Sequence, residues 1–324
     1  MAGYSNSNAF TDTGTGSLGT SLVQAAYDRY VEFALRAIPL IRDVADKRPA
    51  QQAMPGSSVV FQLYTDLTKA TTPLTETTDP DAVALGNTTS VSVTLNEYGN
   101  AALATRKLEL FSLSDVDPAI ANIIAFNMAD SLDELALTEL RGGSNAIYSA
   151  NSTGTVPTGT SGIGATNVIK SADIRKAVAK LRAGKAVPRV GELYWCGIHP
   201  EVSHDLRAET GAGGWREAHV YNESGAGNLW PGSIGTYEGA MFVESPRLYN
   251  ATDGAGSVRV FRTILAGQQA LAEAVAEEPH VIIGPVVDKL MRFRPIGWYG
   301  VLGWKRYREA ALYRIESTSS INNA

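Results

Sequence analysis

The most sustained alternation of apolar and polar positions lies within residues 118–141. Ile120, Ile123, Ile124, Met128, Leu132, Leu135 and Leu140 recur there at mostly three- and four-residue steps. That spacing predicts an amphipathic helix. Asp117 is placed to cap it, Pro118 suits a first helical position and Gly142-Gly143 suit a stop. At 1.5 Å per residue it would run roughly 36 Å, enough to cross a domain. Two shorter helices are expected. Residues 21–38 carry Leu22, Ala26, Tyr30, Phe33 and Ala37 on one face and end before Pro39, and residues 172–183 follow Ser171 as a cap and stop at Gly184.

Period-two patterning marks the strands. Residues 58–65 and 89–95 read as a pair, the second with Val91, Val93 and Leu95 on one face and Ser90, Ser92 and Thr94 on the other. The connection between them is far longer than the two to five residues of an ordinary hairpin. Shorter strands are predicted at 192–198, 240–244, 258–265, 281–283, 299–304 and 310–316. A long helix, a long hairpin and mixed short strands predict an α+β chain.

Composition narrows the function classes. Of 324 residues, 44% are hydrophobic and 19% charged, the balance of a folded chain. With 28 Lys and Arg against 33 Asp and Glu the net charge is −5, which argues against a dedicated nucleic-acid binder. The charge is uneven: residues 280–316 hold seven cations and three acids, +4, leaving −9 elsewhere. Asp12 is the single charged residue among the first 27, in a Ser-, Thr-, Gly- and Asn-rich arm that buries too little apolar surface to order itself. A neighbouring subunit is its expected partner. Residues 142–169 are also uncharged and read as a long loop. No apolar run approaches the ~20 residues of a membrane span, and the N-terminus lacks the basic and apolar regions of a secretory signal. Cys196 is the lone cysteine, so neither an internal disulfide nor a multi-cysteine metal site is available.

Candidate chemistry is sparse. Gly14 to Gly19 fits GxGxxG, but no strand precedes it and no βαβ unit follows, so it reads as flexible arm. Cys196, His199, Glu201 and His204 fall within nine residues, and a metal-dependent cytoplasmic α+β enzyme built on His199, Glu201 and His204 is the alternative function. Their spacing matches no standard zinc pattern, and His199-Pro200 reads as a strand end followed by a helix start. Glu201, Asp205 and Arg207 are expected on a solvated, salt-bridged helix face. Trp298, Tyr299, Trp304 and Tyr307, interleaved with Lys305 and Arg306, are expected as a buried aromatic strip with bases reaching to solvent. No GxSxG elbow occurs. No catalytic, cofactor-binding or metal-binding residue is assigned, no cofactor is expected, and the reading is of a protein that is not an enzyme.

Several short elements, in order, carry a resemblance. They are Thr72-Pro73-Leu74-Thr75-Glu76 in the long loop, Glu97-Tyr98-Gly99, Ser131-Leu132-Asp133, His199-Pro200-Glu201-Val202 leading to Asp205-Leu206-Arg207, Gly232-Ser233-Ile234-Gly235, Phe242-Val243-Glu244-Ser245 and Gly303-Trp304-Lys305. With this order and spacing the chain resembles the major capsid proteins of tailed bacteriophages. The resemblance implies an N-terminal arm over 1–53, an extended loop hairpin over 56–107 and a peripheral domain over 108–164 with a spine helix at 118–141. It further implies a mixed α/β axial domain over 165–276 and return strands of the peripheral domain over 279–324. Many copies, as hexamers and pentamers, would form an icosahedral head shell around double-stranded DNA. The shell would be found in the virion after assembly in the bacterial host cytoplasm, with scaffolding, portal and decoration proteins as further partners and no membrane. A separate scaffolding protein, or none, is expected. A cargo-enclosing nanocompartment shell shares the fold and is a second alternative. Pro73, Leu74, Glu76, Val83 and Leu85 are the expected inter-subunit contacts. Arg292, Arg294, Lys305, Arg306 and Arg308 are the candidates for facing DNA, weakly and without sequence preference, or for pairing with a neighbouring subunit.

Overall fold

The computed structural model of the chain describes residues 40–49, 58–64, 67–77, 79, 82–83, 89–111, 116–209, 233–285, 288–290 and 292–321. The expected helix at 21–38 and the Gly14–Gly19 motif lie outside the described residues. Along the chain come β1 (Asp46–Pro49), β2 (Ser58–Leu63), β3 (Thr89–Thr94), β4 (Asn96–Thr105), α1 (Arg106–Phe111), α2 (Val116–Leu140) and β5 (Ala146–Tyr148). Then follow α3 (Ser171–Ala183), β6 (Tyr194–Ile198), α4 (Pro200–Ala208), β7 (Ser233–Tyr237), β8 (Ala240–Glu244), β9 (Asn250–Ala251), β10 (Val260–Ala266), β11 (Leu271–Ile283), β12 (Phe293–Arg306) and β13 (Leu312–Ser317).

Three sheets organise these strands. A four-stranded sheet runs β1-β11-β12-β4, a larger one runs β5-β13-β10-β6-β8-β7 with β9 also on β10, and β2 pairs only with β3. The predicted strands at 281–283 and 299–304 are pieces of β11 and β12, which span 13 and 14 residues. The sequence hides their length because β12 carries Gly297, Gly300 and Gly303, and β11 shifts register between Val275 and Glu277 and again before His280. The expected return strands at 279–324 divide between sheets: β12 joins the four-stranded one and β13 the larger one. Residues 96–105 of the expected loop hairpin pair with β12 in the four-stranded sheet.

The four-stranded sheet has two differently covered faces. Ile296, Trp298, Leu302 and Trp304, alternating along β12, are buried in the main core with Ile124, Leu132, Ala136, Leu137 and Leu140 of α2. The Trp298 indole N–H donates to Asn127 of α2 at 3.0 Å. This bears out the buried aromatic strip. Ile123, expected on the apolar stripe, is 47% exposed. The buried arc turns the other way round the helix, through Leu132, Ala136 and Leu140. On the opposite face the β2–β3 pair packs Phe61 and Val93 over Ala272, Ala274 and Tyr307. That seat requires Gly303, since a Cβ there would stand 2.0 Å from the Thr94 carbonyl oxygen.

Capping is mostly tertiary. α2 ends at the left-handed Gly143 (φ +95°) as the sequence predicts. Its last turn holds no basic residue, and guanidiniums from three strands supply the missing cations. Arg306 donates to the Glu139 carbonyl (3.0 Å), Arg262 to that of Arg141 (3.4 Å) and Arg314 to that of Gly143. Ser171, expected as the cap of α3, is instead its first residue; Lys170 takes the cap position and its N–H donates to the Asp173 carboxylate at 3.2 Å.

The chain enters the body through acidic anchors. The N–H groups of Ile41 and Arg42 donate to Asp133 at 2.7 and 2.9 Å, and the Arg42 guanidinium reaches buried Glu273 at 2.6 Å. Burial is the largest influence on the Asp133 carboxyl and lifts its pKa, against the pull of those N–H groups and of Arg247. β1 then pairs in parallel with β11. Among the described residues no helix is long and apolar enough to cross a membrane.

Candidate functional site

The loop between β2 and β3 touches nothing in its own chain that hides it. Every described residue from Leu67 to Val83 is exposed, Pro73 and Glu76 among them, with Leu74 at 77% and Val83 at 68%. Leu85 lies outside the described residues. Exposed leucine and valine on an extended polar segment are what a segment held by another surface would show. The loop also carries Asp66, Glu76, Asp79 and Asp81 against the single Lys69, so it is acidic.

The five basic residues singled out in the sequence do not form one patch. Arg292 and Arg294 flank the start of β12, and Lys305, Arg306 and Arg308 sit at or beyond its end. At about 3.3 Å per strand residue the two groups are roughly 40 Å apart. Arg306 is bound to the end of α2 and to Glu139 and Glu309, and Arg308 donates to the Gly184 carbonyl at 3.1 Å. Lys305, Arg292 and Arg294 are exposed, Arg292 with Asp288 at 2.7 Å.

Three further cations join Arg292 and Arg294, which sequence reasoning missed. The Arg106 N–H donates to the Arg292 carbonyl at 2.9 Å, so Arg106 and Lys107 lie at the same end of the sheet, with Lys289 three residues from Arg292 in sequence. All five side chains are exposed. The two arms of this cluster are separated by about 180 residues, so no local motif could have announced it; only the β4–β12 register does.

Beside this cationic end, on the face of the sheet away from α2, lies a groove of about 360 Å³. Gly99, Ala101, Ile282, Pro295, Gly297 and Tyr299 line it, and Leu103, paired with Pro295, stands exposed at its rim. The lining is mostly apolar and the glycines leave a low floor.

The cysteine and histidine cluster resolves into structural roles. Cys196 is fully buried in β6, and burial pushes its thiol well above the usual range. His199 caps α4, its Nδ1 accepting from the Glu201 N–H at 3.3 Å, and its ring packs on Phe261 with centroids 4.8 Å apart. Burial lowers its pKa most, with Glu201 and Glu244 raising it and Arg259 lowering it. His204 points to solvent beside Asp205. Among the described residues no three His, Cys, Asp or Glu side chains are grouped to hold a metal ion.

The expected solvated face of α4 needs correction at Asp205. Its side chain is buried and accepts from the N–H (2.8 Å) and the hydroxyl of Ser320. Arg207 bonds Ser203 at 2.8 Å and reaches Glu244 instead. Asp205 thus ties the chain beyond β13 to α4, a partnership invisible to helix-face spacing.

Comparison with known proteins follows the same line. The sequence model of a family described as phage capsid protein matches residues 23–321. No curated protein matches the sequence. Among solved structures, the Cyanophage Pam1 capsid asymmetric unit is similar at TM-score 0.72 and 14% identity, over 95% of this chain and 100% of that one. The head structure of Helicobacter pylori bacteriophage KHP40 gives 0.72 and 14%, over 94% and 98%. Mycobacterium phage Che8 gives 0.63 and 17%, over 91% and 97%. At such identities the structures speak for the fold, and the sequence model speaks for the family.

Proposed function

Since the chain belongs to the phage capsid protein family, we propose that it is the major subunit of a tailed-phage head, tiling an icosahedral shell of hexamers and pentamers around double-stranded DNA. The observation that carries this reading is a family match over nearly the whole chain joined to an exposed loop with apolar residues. A lone subunit has no use for such a loop, whereas a tile gains a contact from it. Pro73, Leu74, Glu76, Val83 and Leu85 are the proposed inter-subunit contacts. We assign the arm to residues 1–53, the extended loop to 56–107, the peripheral domain to 108–164 and 279–324, and the axial domain to 165–276.

On this reading the work is mechanical, done by interface burial without substrate turnover. DNA contact is weak and unspecific, because Arg306 and Arg308, two of the five expected cations, are engaged in holding the subunit together. Electron microscopy of particles purified after expression with the phage's own scaffold tests the proposal. Closed shells containing nuclease-protected DNA are expected. Closed shells filled with protein cargo would favour the nanocompartment, and a monodisperse monomer under every assembly condition would refute both.

A further inference from the structure

The groove on the four-stranded sheet and the loop are complementary in two independent ways. The groove offers an apolar, glycine-floored surface, and the loop offers Leu74 and Val83, both exposed. The groove ends in Arg106, Lys107, Lys289, Arg292 and Arg294, and the loop sets Glu76 and Asp79 between its two apolar residues. Leu103 at the rim and the described loop residues are all exposed in the single chain, so the two surfaces do not meet within it.

The sheet itself shows how it accepts such a segment. On the same face, one end of the sheet is already covered by the β2–β3 pair, which comes close enough for its backbone to rest on Gly303. Gly297 lies six positions before Gly303 on β12, hence on the same face, and Gly99 pairs with Tyr299 between them. The groove therefore continues a surface that has the form needed to carry extended chain, and it is left open where the cations begin.

We propose that this groove receives the 74–83 segment of a second copy, with Leu74 and Val83 over the Gly99–Gly297 floor and Glu76 and Asp79 against the cationic end. The proposal rests on the shell reading and specifies which surface of the neighbour the loop occupies and what selects it. Opposed charges set the register and the apolar residues exclude water. Arg292 and Arg294 then serve the neighbouring subunit rather than DNA.

Cysteine pairing tests the seat, because Cys196 is buried and leaves introduced thiols as the accessible ones. Copies carrying Leu74→Cys are co-assembled with copies carrying Ala101→Cys and oxidised. A disulfide-linked dimer joining the two kinds of copy is expected. Its absence from particles that do form would overturn the proposal, as would closure within a single chain carrying both changes. Charge exchange tests the selection. Arg292→Glu with Arg294→Glu, and separately Glu76→Arg with Asp79→Arg, should each lower the assembled fraction by about tenfold at low salt, and all four together should restore most of it. Four substitutions that assemble no better than either pair would overturn the charge pairing. So would normal particle formation by the Arg292→Glu, Arg294→Glu double variant with loss of packaged DNA alone. Failure of the unsubstituted chain to form particles would instead overturn the shell reading itself.

Discussion

Placing a single methyl group at residue 303 should pry the loop hairpin from the sheet. In Gly303→Ala the new Cβ would lie 2.0 Å from the Thr94 carbonyl oxygen, whereas ordinary contact begins near 3.4 Å. The hairpin base or β12 must therefore give by 1.4 Å, and both are backbone in paired strands. Phe61 and Val93, fully buried beneath the hairpin, bear the loss. Burying two such side chains contributes roughly 4–5 kcal/mol. A gap of about 0.5–1 Å forfeits a quarter to a half of the dispersion well, so a lift of this size should remove about 2–3 kcal/mol. Overpacking in well-filled cores costs a similar amount, about 1–3 kcal/mol. Urea unfolding of the unassembled subunit would report the loss, and hydrogen exchange should locate it in β2 and β3 rather than in α2. Gly159→Ala is the matched control. Its backbone is extended (φ −167°) and no neighbouring atom lies within 4 Å of the added carbon, so it should be neutral or stabilise slightly. Equal stability of Gly303→Ala and the parent, within about 0.5 kcal/mol, would refute the idea that the hairpin is seated on that glycine.

Three more outcomes are expected. Replacing residues 66–87 by Asn-Gly should leave a folded monomer by circular dichroism and abolish shells by sedimentation, since the described part of that segment is exposed; normal shells would contradict the assembly role. Glu316→Ala should cost about 3 kcal/mol in urea unfolding, because this fully buried carboxylate sits between Arg314 at 2.7 Å and Arg262 at 3.2 Å and its loss strands both guanidiniums. For His199, burial lowers the folded-state pKa, so the unfolded chain takes up the proton first as pH falls. Its contribution to stability should hold above the unfolded value near 6.5 and decline below it, and His199→Asn, which keeps an N-cap acceptor, should flatten that part of the pH profile measured between about pH 7.5 and 5.5.

Local signals announced what local physics decides. α2 was readable because its apolar spacing, Pro118 and Gly143 agree, and the β2–β3 register followed from clean alternation around Val91 and Val93. Its buried arc was less readable: Ile123 and Ile124 are equally apolar, and only the position of the sheet decides between them. The full lengths of β11 and β12 were hidden by bulges and glycines that interrupt a period of two without interrupting the ladder. Polar side chains were hardest. Asp205, Arg306 and Arg314 look like solvent-facing charges, yet their partners lie 115, 167 and 171 residues away. The loop was legible as an exposed segment from composition alone, whereas the groove and its cationic end exist only once β4, β11 and β12 are laid side by side.

The parallel pairing of β1 with β11 has a mechanical meaning. Tension on the chain that precedes Ile41 acts along the axis of β1, so the four residue pairs from Asp46↔Ala272 to Pro49↔Val275 are loaded together in shear instead of being unzipped one after another. Ile41 and Arg42, held by Asp133 and Glu273, lie upstream of that strand and meet the pull first. A tether attached in this way can bear load while the sheet behind it keeps its shape. Strain arriving from outside the subunit is then absorbed by two replaceable polar anchors before any strand has to slide.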